Sequence, residues 1–309
     1  MQLFDGTKID FMGHRRGALI VSIVAVLISI GSLAVRGLNY GIEFTGGVII
    51  EATYTRDADL TAIRTNLEGE GFEKVQVQNL GSPMDVMIRL PPPGAGADLG
   101  ALREHVIETL RKQADNVEIR RFDTTGPQVG SDMAQASILA VIFASIGIFL
   151  YVSIRFRWKL AAGAIVAELH DVITTIGLFS LVGWQFDLSV LGAVLAVLGH
   201  SLNDKIVLYD RIRENFRLVR RGSAEQIVNT SVNQVLSRTI VTSGSTMLVV
   251  IALALLGGET LFGFSVALIF GIGVGVYSSI YVASAMALFL KVTPTDLVAV
   301  KAAPEDSMP

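Results

Sequence analysis

Six separate stretches of this chain are each long and apolar enough to cross a lipid bilayer, and that feature narrows the possible folds more than any other. A hydrocarbon core about 30 Å thick takes roughly 20 apolar residues in a helix. The runs cover residues 17–35, 134–154, 160–182, 188–208, 239–256 and 262–290. The expected fold class is therefore an α-helical polytopic membrane protein with six transmembrane helices. Of the 309 residues, 51% are hydrophobic and only 17% are charged, against about 25% charged in an ordinary soluble domain. A soluble chain of this make-up would leave far too much apolar surface in water. The first run has no A-x-A-like exit and ends at Arg36, so it is expected to persist as a helix rather than be cleaved as a signal.

Basic residues in the short connections set the expected orientation. Lys8, Arg15 and Arg16 precede the first run, and Arg155, Arg157 and Lys159 separate the second from the third. Arg211, Arg213, Arg217, Arg220 and Arg221 lie between the fourth and fifth, and Lys291 follows the sixth. The opposite connections, 183–187 and 257–261, contain no Lys or Arg. Both ends, 1–16 and 291–309, are thus expected in the cytoplasm, and residues 37–132 outside it. The basic segment 209–237 is expected in the cytoplasm, with Arg211–Arg221 as an interfacial helix on that face held by anionic lipids. The tail 294–309, rich in Pro, Ala and acidic residues, is expected to be disordered.

The long outer segment reads as a small α/β domain. Residues 48–54, 75–80, 86–90 and 117–122 have strand character, and 58–71 and 99–112 show apolar residues at helical spacing. Gly81-Ser82-Pro83 marks a turn, and Pro91-Pro92-Pro93-Gly94 breaks the chain. The order β-α-β-β-α-β is that of a ferredoxin-like sandwich. The formal net charge of −3 points to neither a nucleic-acid binder nor a basic surface protein. The chain has no cysteine, which excludes disulfides and thiolate metal sites. No cofactor or metal motif is visible.

Ionisable residues inside the apolar runs carry the functional signal. An Asp, Lys or Arg near a helix centre costs roughly 2.5–3.5 kcal/mol on insertion scales. Such groups persist mainly where they line a bundle interior or a wet path. The third run holds Glu168, His170 and Asp171, with Thr174 and Thr175 on the face of Asp171. The fourth holds His200, Ser201, Asn203, Asp204 and Lys205. The fifth opens with Arg238 and continues with Thr239, Thr242, Ser243 and Thr246 at helical spacing. Together these faces suggest one hydrated seam. Low dielectric favours a neutral carboxyl and a nearby cation favours a charged one, so Asp204 pairing reversibly with Arg238 would move helices as protons pass. A membrane potential supplies about 2.3 kcal/mol per charge per 100 mV for such a step. The competing readings are that Arg238 snorkels to the interface, that Asp204 and Lys205 reach the headgroups, and that His170 only bonds neighbouring helices. Gly271, Gly273, Gly275, Ser278, Ser279, Ala283 and Ser284 form a small-residue face for close helix packing.

Several of these motifs resemble a known family. Gly41-Ile-Glu-Phe-Thr-Gly-Gly47 resembles the L-G-I-D-F-T-G-G segment that opens the external domain of the SecD/SecF family. Gly126-Pro-Gln-Val-Gly130, His170-Asp171-Val172, Ser201-Leu-Asn-Asp204, Asp210-Arg-Ile-Arg-Glu-Asn-Phe216, Ser237-Arg-Thr239 and Thr242-Ser243 are similar to its later motifs. One short external domain resembles the SecF branch rather than SecD. The resemblance implies a bacterial inner-membrane subunit that pairs with SecD in a twelve-helix unit of the RND superfamily. It also implies association with the SecYEG channel, YajC and YidC, and use of the proton-motive force to help draw unfolded preproteins outward. It assigns the proton site to Asp204 with Arg238, and implies a further Asp from SecD. Ser201, Asn203, Asp171 and His170 join the expected pathway.

Four positions depart from the family pattern. Glu43 replaces its Asp, His200 a Tyr, Lys205 a small or uncharged residue, and Glu168 an apolar one. Glu168 and Lys205 are expected to pair across the third and fourth helices, because an opposite charge offsets part of the cost of burial. Other classes are weaker. A passive scaffold would not need the polar seam. An intramembrane aspartyl protease needs a G-x-G-D context, which neither Asp171 nor Asp204 has. A small-molecule exporter of the RND type usually carries two large external domains and twelve helices in one chain. No enzymatic activity is expected.

Overall fold

A computed structural model describes residues 8–72, 75–92, 98–113, 117–156, 158–219 and 222–292. The expectations placed on Arg157, Arg220, Arg221, Pro93, Gly94 and the tail 294–309 lie outside the described residues. In chain order the elements are α1 (Arg15–Val35), β1 (Asn39–Tyr40), the single turn α2 (Ile42–Thr45), β2 (Gly47–Tyr54), α3 (Leu60–Gly69), β3 (Gln76–Leu80), β4 (Ser82–Leu90), α4 (Leu99–Gln113) and β5 (Val117–Thr125). There follow α5 (Pro127–Arg155), α6 (Trp158–Val182), β6 (Gln185–Phe186), α7 (Leu188–Leu218), α8 (Ala224–Leu256), α9 (Gly258–Ser278), a π-helical turn (Ser279–Ala283) and α10 (Ser284–Phe289). Among the described residues, six helices are long and apolar enough to span a membrane: α1, α5, α6, α7, α8 and the run from α9 through α10.

The domain between α1 and α5 is built on one antiparallel sheet in the order β3-β4-β2-β5. Alternate residues of a strand face one side, and here Val48 and Ile50 of β2 and Val86 and Ile88 of β4 meet Ile63 and Leu67 of α3 and Val106 and Leu110 of α4. The order from β2 to β5 is β-α-β-β-α-β, as read from the sequence. Asp59 caps α3 by accepting from the backbone N–H of Thr61 and Ala62, both at 3.0 Å.

The glycines of two motifs fasten this domain to the helices. Gly46 (φ +71°) and Gly47 (φ +137°) hold backbone conformations that side chains resist. A Cβ on Gly130 would lie 2.6 Å from the Gly46 nitrogen, so α2 rests directly on the first turn of α5. On the other side, β1 and β6 form a short parallel pair. The Arg36 guanidinium donates to the Leu181 carbonyl at 2.9 Å, tying the end of α1 to the end of α6.

Within the bundle, small residues permit close helix contacts, the main source of association among apolar helices in lipid. Buried Ser29 and Ser32 face α6, where a Cβ on Gly177 would fall 2.2 Å from that of Ser29 and Ser32 bonds Ser180, while buried Ser22 meets Tyr277 of α9. On α9, Gly271 faces Val197 and Gly275 faces Ser201, both on α7, whereas Gly273 faces open space. The small-residue face of the last span is therefore used within the chain.

Two features differ from the expectations. The basic segment after the fourth run is not a separate interfacial helix: α7 runs unbroken to Leu218 and α8 begins at Ala224. Tyr209, Ile212 and Phe216 are buried with Ile227, Val228 and Val232, so Arg211, Arg213 and Arg217 occupy the outer side of a helical hairpin with its own apolar seam. Ser223 and Gln226 close a capping box at the start of α8. The segment before α1 is also fixed. Phe11 and Met12 are buried. Asn233 Nδ2 donates to the Ile9 carbonyl at 2.8 Å and the Met12 N–H donates to Asn229 Oδ1 at 3.1 Å, while Arg15 pairs with Glu225.

Gly271→Ala places a methyl 2.3 Å from Val197 Cγ2 and is expected to destabilise the folded chain by about 1–3 kcal/mol, the usual range for overpacking. Gly273→Ala is expected to leave stability unchanged or raised. Thermal unfolding in lipid nanodiscs compares the two; equal midpoints would contradict the assigned α7–α9 contact.

Candidate functional site

The site follows from residue spacing on two adjacent helices. On α6, Glu168 and Asp171 are three residues apart and share a face; on α7, Ser201 and Lys205 are four apart and do the same. With α6 and α7 in contact, the two faces meet. Lys205 is completely buried and its Nζ donates to Asp171 Oδ2 at 2.8 Å, to Glu168 Oε1 at 3.2 Å and to Ser201 Oγ. The expected Glu168–Lys205 pair is present, and Asp171 completes it. Because Asp171 stands midway along α6, Lys205 lies at mid-depth of the bundle rather than at the headgroups.

Asp171 is saturated with donors. Its Oδ2 also accepts from Ser201 Oγ at 2.7 Å and from Ser278 Oγ at 2.8 Å, and its Oδ1 takes the His170 Nδ1 contact at 3.0 Å. Thr174 and Thr175 donate to backbone carbonyls of the preceding turn and do not reach the carboxylate. Ser278 was not singled out for this role in the sequence, where it registers only as one of several small residues. A π-helical turn follows it, and at its end the Ala283 carbonyl accepts from the buried Tyr209 hydroxyl at 3.1 Å. Such turns are often found where a helix is adapted to a site. The His170 ring also lies against Tyr277 at 6.3 Å between centroids, and Tyr277 donates to the Ala18 carbonyl of α1 at 2.6 Å.

Asp204 is buried but belongs to a second, smaller group. It accepts from Ser243 Oγ of α8 at 3.2 Å, and the same hydroxyl lies 3.2 Å from His200 Nε2. Ser243 is the one member of the α8 hydroxyl row that reaches it. Thr242 and Thr246 bond to carbonyls of their own helix, and Thr239 is buried on the same helix.

Two expected pathway residues stand apart. Arg238 is exposed and, among the described residues, forms no ion pair with Asp204. It precedes Ser243 by five positions, roughly 140° round the helix, and so turns away from the residue that Asp204 contacts. It lines an open groove of about 420 Å³ between α7 and α8 with Val207, Asp210, Arg211, Glu214 and Gln234. Asn203 is also exposed, one helical turn before Val207. In this arrangement Asp204 and Arg238 are not paired, and the buried ion pairs are those of Lys205 with Asp171 and Glu168. Among the described residues no group of His and carboxylates is arranged to hold a metal ion.

Comparison with known proteins places the chain. A profile for the C-terminal part of the protein export membrane protein SecD/SecF matches residues 105–293, and one for the SecD/SecF GG motif matches residues 31–58. The protein translocase subunit SecF of Vibrio alginolyticus is 47% identical over 285 residues, covering 91% of this chain and 90% of that one. The Pseudomonas aeruginosa subunit is 44% identical over 301 residues, covering 96% of each. The crystal structure of SecDF from Thermus thermophilus, titled a translocon-associated membrane protein, superimposes with a TM-score of 0.83 at 34% identity over 94% of this chain. The match spans 40% of that longer chain. A SecDF structure in the super-membrane-facing form gives a TM-score of 0.70 at the same identity. With SecF proteins of Vibrio and Pseudomonas matched along nine-tenths or more of their length, the chain is a multi-pass membrane protein that belongs to the SecF branch of the SecD/SecF protein-export family.

Proposed function

We propose that this subunit, together with SecD, converts proton-motive force into movement that helps pull unfolded preproteins through the SecYEG channel, with YajC and YidC as further associates. It performs no covalent chemistry. The observation that carries the reading is a fully buried lysine held between two carboxyls at mid-depth. Buried ion pairs of this kind add little net stability compared with apolar packing, whereas ionisable groups inside membrane helices characteristically mark ion pathways. The neighbouring Asp204–Ser243–His200 chain lies one residue along α7 and supplies a second exchangeable carboxyl. The exposed Asn203 of α7 and Arg238, which lines the α7–α8 groove, are where a second membrane subunit would bring its own carboxyl to meet them.

In this reading the chain sits in the bacterial inner membrane with both termini cytoplasmic and residues 37–132 in the periplasm. The Lys and Arg distribution supports that orientation. The β3-β4-β2-β5 sheet covered by α3 and α4 on one face supports a ferredoxin-like domain there. The domain is seated on α5 through Gly46 and Gly130, so a shift of the helices would be passed to it directly.

Preprotein export into proton-energised membrane vesicles tests the proposal. Asp204→Asn and Lys205→Met are each expected to reduce the proton-dependent increment of export to that of vesicles lacking the chain, while complex assembly with SecD persists in Asp204→Asn. Unchanged export in both variants would establish a passive scaffold instead.

A further inference from the structure

Two carboxyls and one ammonium share the buried cluster of Glu168, Asp171 and Lys205. With all three ionised, the cluster would carry an uncompensated negative charge where water cannot solvate it, an arrangement of high cost. A single proton on one carboxyl removes that charge. The hydrogen bonds distinguish the two candidates. Asp171 is contacted by Lys205, Ser201, Ser278 and His170, and donors on a carboxylate favour its ionised form. Glu168 accepts a single bond, from Lys205 to Oε1. Its Oε2 is buried without a hydrogen-bond partner, and the residue is only 5% exposed. An ionised carboxylate with one bare, buried oxygen is the costlier choice.

We propose that Glu168 carries an exchangeable proton at Oε2, making this cluster a proton-binding site additional to Asp204. The inference rests on the proton-coupled reading above. On release, the O–H bond breaks, the electron pair stays on the carboxylate and the proton passes to water entering the bundle. The Lys205 ammonium, already 3.2 Å from Oε1, then shares its charge between Glu168 and Asp171, so α6 and α7 are held differently in the two states. The groups facing Glu168 are Asp171 on its own helix, with His170 bonded to it, and Lys205 from α7. Tyr277 and Ser278 come from α9, and Tyr209 of α7 is bonded to the Ala283 carbonyl. The ionisable residues of α1 and α5 stand at or near their helix ends (Arg15, Arg16, Asp132, Tyr151, Arg155), the π-helical turn has Tyr281 against Tyr277, and α10 has none. Asp204 and His200 are engaged with Ser243 instead.

Infrared difference spectroscopy of the full chain with SecD, in phosphatidylethanolamine–phosphatidylglycerol vesicles, reads this proton directly. A carbonyl band of protonated carboxyls is expected to disappear as pH is raised, with one component that is lost in Glu168→Gln and retained in Asp204→Asn. Persistence of the whole band in Glu168→Gln, or its complete loss in Asp204→Asn, would overturn the proposal. Should Glu168→Gln not assemble, Glu168→Asp is expected to shift the band, and an unshifted band would overturn the proposal equally. The two readings fail separately: unchanged export in Asp204→Asn and Lys205→Met removes the motor, while the band decides Glu168.

Discussion

A lysine ammonium with no access to water must be neutralised where it stands, and the centre of this bundle is arranged to do that. Lys205 meets Asp171, Glu168 and Ser201, so α6 and α7 are registered by charge as well as by shape. Removing one partner of a buried pair typically costs about 3–5 kcal/mol, because the other charge is left behind. In a hydrocarbon surrounding, where close packing drives helix association, such a contact adds a register that mismatched helix positions would break at high cost.

The rest of the bundle supports that contact. Gly275 lets α9 approach Ser201 closely enough for Ser278 to reach Asp171. Tyr277 links the same region to α1 through the Ala18 carbonyl. At the basic end, the strand of residues before α1 is bonded to Asn229 and Asn233, and Arg155 at the end of α5 pairs with Asp210 of α7 at 2.6 Å. At the opposite end, the glycines around Gly46 and Gly130 carry the α/β domain on α5. A change in how Lys205 divides itself between two carboxyls thus has a short mechanical route to both ends of the molecule.

Much of this was legible in the sequence because its causes are local. Apolar runs of bilayer length identify the six helices, strand alternation gives the domain's element order, and charges inside the runs point to α6 and α7. The Glu168–Lys205 pair could be inferred because isolated intramembrane charges are rare. What escaped depends on long-range geometry. Arg238 resembles a partner for Asp204 until its angular position on α8 relative to Ser243 is known. The continuation of α7 to Leu218 is hidden because hydropathy falls at Leu208, although Tyr209, Ile212 and Phe216 keep helical spacing and bury a seam. The docking of Phe11 and Met12 against the hairpin has no local signature. Ser278 as a donor to Asp171 is indistinguishable in sequence from its small neighbours.

The central claim is that Lys205 and Asp171 act on each other directly inside the bundle. A double-mutant cycle of Lys205→Met and Asp171→Asn, read as unfolding free energy of the SecD complex in lipid, measures this most directly. The account predicts strong non-additivity, with the double variant more stable than Lys205→Met alone. Additive losses, agreeing within about 0.5 kcal/mol, would contradict it.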